Sequence, residues 1–311
     1  MIAHYKVVQR RQDVGMRISS LYRQQQLSIG ILDSGSIDEL KGALDWYSAN
    51  MNCTLHVITL EDTFEDEGLG DSYPDITFIC FKSLVPLGEM INAFAAECYA
   101  SYFLVVRSDM QILGFDGSAL LHIMADKTHP AMLTPVMLNS DMEVLPTLRA
   151  PFLKGKELDP LSFMPDITPG TLSANLYPVM GLGLYDRALF QRLRGYDEEV
   201  GSEFFQLMDF GNRTHLYGFP IFTCSDFAIR FLNKHSIIED RSACEGMNRV
   251  YTKALSVHRI AGKNVIEKYK PYVDKQLLKS EVKTKQIILQ KTDYFTLIKE
   301  WKNGTDGDAK Q

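Results

Sequence analysis

Asp109 closes the triplet Arg107-Ser108-Asp109, directly behind an apolar run at residues 102–106. A carboxylate just past a strand end can bridge a hard cation to an anionic ligand, or it can cap the next turn. Arg107 beside it can grip phosphate through its planar fork of N–H donors, or stand as an ordinary surface residue. Asp33 and Ser34, followed by Ser36, leave another apolar run and offer hydrogen bonds to a polar ligand. A turn whose last serine caps a helix explains them equally well. Glu61 and Asp62 follow a third apolar run, as ligand contacts or as the start of a solvated acidic loop. Asp209 is a carboxylate that can take a proton from a hydroxyl. Its spacing of four from Arg213 also allows an intrahelical ion pair. Glu203 is the second candidate base. His258 reads either as a metal or diphosphate ligand or as a satisfied, partly buried side chain. The other histidines show no ligand spacing, and no G-x-x-x-x-G-K-[ST], G-x-G-x-x-G or G-x-S-x-G string is present.

These residues need a scaffold that brings distant positions together. Leu27–Leu32 has the length and composition of a strand, as do residues 55–60, 76–81, 102–106 and 131–138. Ile37, Leu40, Leu44 and Tyr47 recur at spacings of three and four, which predicts an amphipathic helix. Residues 89–101 predict a second helix. Short apolar strands alternating with helices predict an α/β fold with a mostly parallel sheet covered on both faces. Ligands then bind beyond the carboxyl ends of the strands. The loops starting at Asp33, Glu61, Lys82 and Arg107 all leave such ends and should converge on one edge. Residues 139–176 are proline-rich and weakly periodic, which predicts a long, partly irregular loop.

The bulk properties narrow the function. A chain of 311 residues fits one α/β domain with appendages, or two small domains. A net charge of −6 gives no electrostatic reason to expect a nucleic-acid partner. Five scattered cysteines without a C-x-x-C pair read as reduced, buried thiols. The first residues lack the apolar core of a signal peptide, and no run approaches the roughly 18 apolar residues of a membrane span. The expected location is therefore the cytoplasm. Residues 1–26 carry five Lys or Arg against one Asp and read as an N-terminal arm, with helix as the candidate structure. From Gly262 to Lys310, eleven lysines face seven acids, with aromatic residues interleaved. That segment reads as a solvated helical appendage or an oligomer contact, or as a surface for the anionic inner face of a membrane. A disordered tail is expected from about Asn303.

Three segments, in this order, resemble the inverting glycosyltransferases of the large family two. The first is a helix containing Asn92, Ala95 and Ala96 that leads into the strand before Arg107-Ser108-Asp109, where the family has D-x-D. The second runs from Val179 to Glu198 and ends in Gly195-Tyr196-Asp197-Glu198, similar to the family's G-[FY]-D-E. The third runs from Glu203 to Arg213 and continues into residues 217–222, similar to the E-D-x-D-x-x-x-R helix and the strand after it. His258 lies where many members place a late histidine.

The resemblance implies a GT-A fold, with 27–138 as the nucleotide-sugar half, 139–260 as the acceptor half, and 261–311 as a lysine-rich extension. It implies transfer of a sugar from a nucleotide-sugar donor to a glycan or lipid-linked acceptor. Asp33, Ser34, Glu61 and Asp62 would meet the nucleoside, and Arg107 and Asp109 the diphosphate. A divalent metal, Mg2+ or Mn2+, would rest on Asp109 and His258. Asp209 or Glu203 would receive the acceptor proton. Two departures stand out. Only one D-x-D carboxylate remains, and Gln206-Leu207 replaces Glu-Asp, of which the Asp is the family's base. A catalytically inactive GT-A domain that binds nucleotide or a partner is the alternative.

Overall fold

In a computed structural model, residues 4–9, 26–270 and 272–301 are described. The predicted disordered tail and most of the N-terminal arm lie outside them. Tyr5–Val8 does not continue a helix; it is a short strand, β1. Its backbone pairs antiparallel with Thr77–Phe81, and this pairing overrides the weak local pattern.

The sheet is built from β1, β2 (Leu27–Leu32), β3 (Thr54–Leu60), β4 (Thr77–Phe81), β5 (Tyr102–Arg107), β6 (Met110–Phe115), β7 (Met132–Leu138), β8 (Leu172–Ala174), β9 (Gly183–Asp186) and β10 (Ile221–Phe231). Their order is β1-β4-β3-β2-β5-β9-β7-β10-β8, with β6 paired to β10. Strands β2, β3, β4, β5, β7 and β10 run parallel, so their carboxyl ends share one edge. β9 is the exception in the middle, antiparallel to both β5 and β7.

Helices α1 (Ile37–Asn50), α2 (Leu87–Glu97), α3 (Gly117–Met124), α4 (Arg187–Arg192), α5 (Glu203–Leu216), α6 (Met247–Leu255) and α7 (Tyr294–Glu300) complete the fold. Ser36 caps α1 by accepting from the Glu39 N–H, so part of the sequence-derived turn is spent on helix initiation. Ile29, Ile31, Val57, Phe78 and Leu104 are fully buried, as strands covered on both faces require. Gly30 leaves room for the Phe94 ring of α2, which a Cβ would meet at 2.4 Å. Gly211 plays the same part on α5, where a Cβ would sit 2.1 Å from the Leu176 carbonyl oxygen. His215, one turn later, faces the Asn175 carbonyl oxygen at 2.8 Å. Burial lowers its pKa to about 4, so the imidazole is neutral at physiological pH.

The proline-rich segment is more ordered than its periodicity suggests. Leu148–Ala150 pairs with Leu161–Phe163, Leu153–Lys154 pairs with Glu157–Leu158, and β8 joins the main sheet. In the C-terminal extension, Leu277, Leu278 and Val282 are buried, giving that helical stretch an apolar side the lysines conceal. All five cysteines are free, and Cys244 is exposed, contrary to the expectation of buried thiols.

Candidate functional site at the carboxyl edge of the sheet

The loops leaving β2 and β5 meet. The Ser34 N–H donates to Ser108 Oγ at 2.9 Å, and the two hydroxyls lie 2.8 Å apart. Asp33 accepts from the Gly35 N–H at 2.8 Å and from Thr59 Oγ1 at 2.6 Å, which ties in the end of β3. Ser34 also donates to Glu39, whose other carboxylate oxygen accepts from Asn233 at 3.0 Å. Asp33 and Ser34 are thus held beside Arg107 and Asp109. Glu61 turns the other way and pairs with Lys6 of β1 at 2.7 Å; Asp62 lies exposed beside it in a short helix, Glu61–Asp66.

Asp109 is 2% exposed, with three charge-assisted contacts. Arg107 donates through Nε at 2.9 Å and Nη2 at 3.2 Å, and Lys234 Nζ reaches the carboxylate at 2.5 Å. Burial alone would raise this carboxyl's pKa, but the two cations outweigh it and hold it below the ordinary value. Sequence reasoning missed Lys234. It follows β10, which is parallel to β7 and so ends on the site edge, and the Leu232 N–H bonds back to the Asp109 carbonyl. The signal was present as the polar triplet Asn233-Lys234-His235 after a long apolar strand.

Glu203 opens α5 beside a cleft of about 340 Å3 lined by Met180, Leu207, Ile237 and Glu239. Desolvation and the nearby Glu239 raise its pKa, while the positive charge of Arg107 pulls the other way. Glu203, exposed at the start of its helix, therefore feels the charge of Arg107 at the end of β5. Met180, on the wall of the same cleft, has φ 56°, a left-handed conformation rare for a bulky side chain.

Asp209 has a different setting. It is 1% exposed and held by Arg213 at 2.7 Å and Lys253 at 3.0 Å. Lys253 also pairs with Asp197, which binds Arg249 at 2.9 Å, and Arg213 donates to the carbonyls of Leu193 and Gly195. Gln206 is equally engaged: its Oε1 accepts from the Gly88 N–H at 2.8 Å and its amide donates to the Asp197 carbonyl. Gln206, Asp209 and Arg213 are thus all spent on tying this helix to its neighbours. Leu207 lines the Glu203 cleft.

This network sets an acid limit on stability. Burial would raise the pKa of Asp197, but Lys253 and Arg249 lower it from 3.8 to about 2. A depressed carboxyl stabilises the fold above its unfolded pKa and loses that contribution as pH falls through the folded value. Urea melts between about pH 5 and pH 2 should show a loss on the order of 2 kcal/mol that is absent in Asp197→Asn. Equal acid sensitivity in the two proteins would exclude Asp197 as the source.

His258 stands on a separate hairpin, Val257–Ile260 with Lys263–Ile266. It stacks on Phe295 and faces Glu267 at 3.7 Å. The two candidate metal ligands, His258 and Asp109, share no partner. Among the described residues no group of three His, Cys, Asp or Glu side chains converges to hold a metal ion.

One similarity among solved structures bears on the architecture. The chain superposes on GalNAc-T7 in its complex with UDP, GalNAc and Mn2+, with a TM-score of 0.64 at 11% identity. The chain has a GT-A-type fold. The match covers 89% of this chain but only 56% of GalNAc-T7, so the chain spans little more than half of that protein's length. S. aureus TarS 1–349 in complex with UDP also matches, over 73% of this chain and 63% of that one at 14% identity. Its TM-score of 0.44 is too low to add to the GT-A assignment. No family model and no curated protein matches the sequence. At such identities the GT-A likeness speaks for the fold, and activity must be argued from the side chains. Among the described residues no helix is long and apolar enough to cross a membrane.

Proposed function

We propose that the chain is a nucleotide-sugar-dependent glycosyltransferase acting on a glycan or lipid-linked acceptor with inversion. The observation that carries this reading is the placement of Glu203. Glu203, exposed at the start of α5, lines a cleft and feels the positive charge of Arg107, whose neighbours Ser108 and Asp109 meet the Asp33–Ser34 loop. The donor's nucleoside would lie against Asp33 and Ser34, its diphosphate near Arg107 and Asp109, and the acceptor in the Glu203 cleft.

In the transfer, the acceptor oxygen forms a bond to the sugar's anomeric carbon as the bond to the diphosphate oxygen breaks. The electron pair leaves with the diphosphate, and the acceptor proton passes to the Glu203 carboxylate. Attack from the face opposite the leaving group gives inversion. GalNAc-T7 was solved with Mn2+; at the corresponding edge this chain offers such an ion a single carboxylate, Asp109, already paired with Arg107 and Lys234.

A nucleotide- or partner-binding domain without activity is the second reading, favoured by Leu207 at the place of the family's base. Titration calorimetry with UDP-, GDP-, TDP- and CMP-sugars on wild type and Asp33→Ala tests the donor half. One nucleotide class should bind, and saturation at 100 times its dissociation constant should stabilise the fold by about 2.7 kcal/mol. Asp33→Ala should weaken that binding about tenfold or more. If no donor of any class binds, the glycosyltransferase reading fails.

A further inference from the structure

We infer that Arg107 and Lys234, rather than a divalent cation, hold the diphosphate of the ligand. The inference rests on the donor site proposed above and concerns how that site neutralises charge. A hard divalent cation asks for several oxygen ligands in near-octahedral array, at least one or two of them carboxylates free to face it. Asp109 is a single carboxylate, and both its oxygens already accept from cations: Oδ1 from Arg107 Nε, Oδ2 from Arg107 Nη2 and Lys234 Nζ. An ion arriving there would meet two positive groups within contact distance of its only carboxylate ligand. His258 stands on another hairpin, stacked on Phe295 and away from the Asp109 cluster. The donor set does not fit the metal.

The same set fits an anion. Two positive charges around one carboxylate give the Arg107–Lys234–Asp109 cluster itself a net charge of +1, with Asp33 and Glu39 on the neighbouring loop and helix. Among the described residues neither cation is saturated. The guanidinium has five N–H donors and gives two to Asp109; the ammonium has three and gives one. Arg107 keeps 20% of its side chain exposed and Lys234 47%, while Asp109 beneath them is sealed at 3%. Lys234, the more exposed of the two, is the donor most open to an incoming ligand. Lys234 is also steadied over the Phe231 ring, with its nitrogen 5.5 Å from the ring centroid. The planar fork of Arg107 suits two oxygens of one phosphoryl group, and the ammonium suits an oxygen of the next. Asp109 becomes a positioning residue that aims two cations, and the cations touch the ligand.

Calorimetric titrations with inorganic pyrophosphate and with UDP, GDP, TDP and CDP, each in EDTA and in Mn2+, decide the matter. Pyrophosphate and one nucleoside diphosphate should bind with affinities within about twofold in the two buffers. Lys234→Ala, at an exposed position that should not disturb folding, should weaken both ligands at least about tenfold, and Lys234→Arg should recover most of the loss. Arg107→Ala should do the same, with a thermal melt confirming that it folds. Binding that requires Mn2+ and vanishes in Asp109→Asn would overturn the inference and leave the glycosyltransferase reading intact. Metal-independent pyrophosphate binding without binding of any nucleotide would uphold the cation grip and remove the nucleotide-sugar donor. Absence of binding by every diphosphate in both buffers would overturn the inference.

Discussion

Glu203→Gln is expected to slow sugar transfer by roughly 10²- to 10⁴-fold while leaving donor affinity within about twofold. The amide keeps the size of the side chain and removes its charge and its ability to take a proton. Glu203 is the first residue of α5 and faces an open cleft, so the substitution should not disturb the core. Its pKa is raised by desolvation and Glu239 against the pull of Arg107. The wild-type rate should accordingly climb with pH through a value above the ordinary 4.5 of a glutamate, because the base works only when deprotonated. In Glu203→Gln that limb should be absent. A variant that transfers at the wild-type rate would remove Glu203 from the chemistry and favour the inactive-domain reading, or a base not yet identified.

Asp209→Ala should have a different signature: a loss of about 3–5 kcal/mol in folding stability, with transfer falling only as the folded fraction falls. Removing this carboxylate leaves Arg213 and Lys253 buried beside one another, at side-chain exposures of 7% and 4%. Arg213 retains the carbonyls of Leu193 and Gly195, and Lys253 retains Asp197, so the protein should still fold at low temperature. Denaturant melts measure the first quantity; single-turnover transfer per folded molecule measures the second. A stably folded Asp209→Ala protein that cannot transfer would return Asp209 to the catalytic step.

Much of the architecture was legible because its signals are local. Five strand-length apolar runs and the Ile37–Tyr47 periodicity lie where the structure has β2, β3, β4, β5, β7 and α1. Convergence of the Asp33 and Arg107 loops followed from those strands being parallel. The expectation was weakest where pairing decides. Tyr5–Val8 is a strand only because β4 offers it an edge. Lys234 reaches Asp109 only because β10 runs alongside β7 and then pairs with β6. Glu61 was read as a site residue, yet Lys6, more than 50 positions earlier in the chain, holds it. Asp209 shows the same limit in reverse. Its i, i+4 ion pair with Arg213 was visible in the spacing, but Lys253, which adds the second cation, comes from α6.

The insertion of β9 between β5 and β7 has a kinetic side. Residues 183–186 pair with residues 102–105 and 132–133, so the middle of the sheet closes only after the chain has passed Asp186. Until then β5 and β7 each carry a hydrogen-bonding edge with no partner, flanked by wholly buried Phe103, Leu104, Val105, Met132 and Leu133. Such edges invite pairing with another chain, and contacts this distant in sequence form slowly. A fragment of residues 27–138 is therefore not expected to fold as a separate unit. Expressed alone it would leave β5 open towards β9 and β7 open on both sides, and during synthesis the edges facing β9 stay open for about 45 further residues before it emerges.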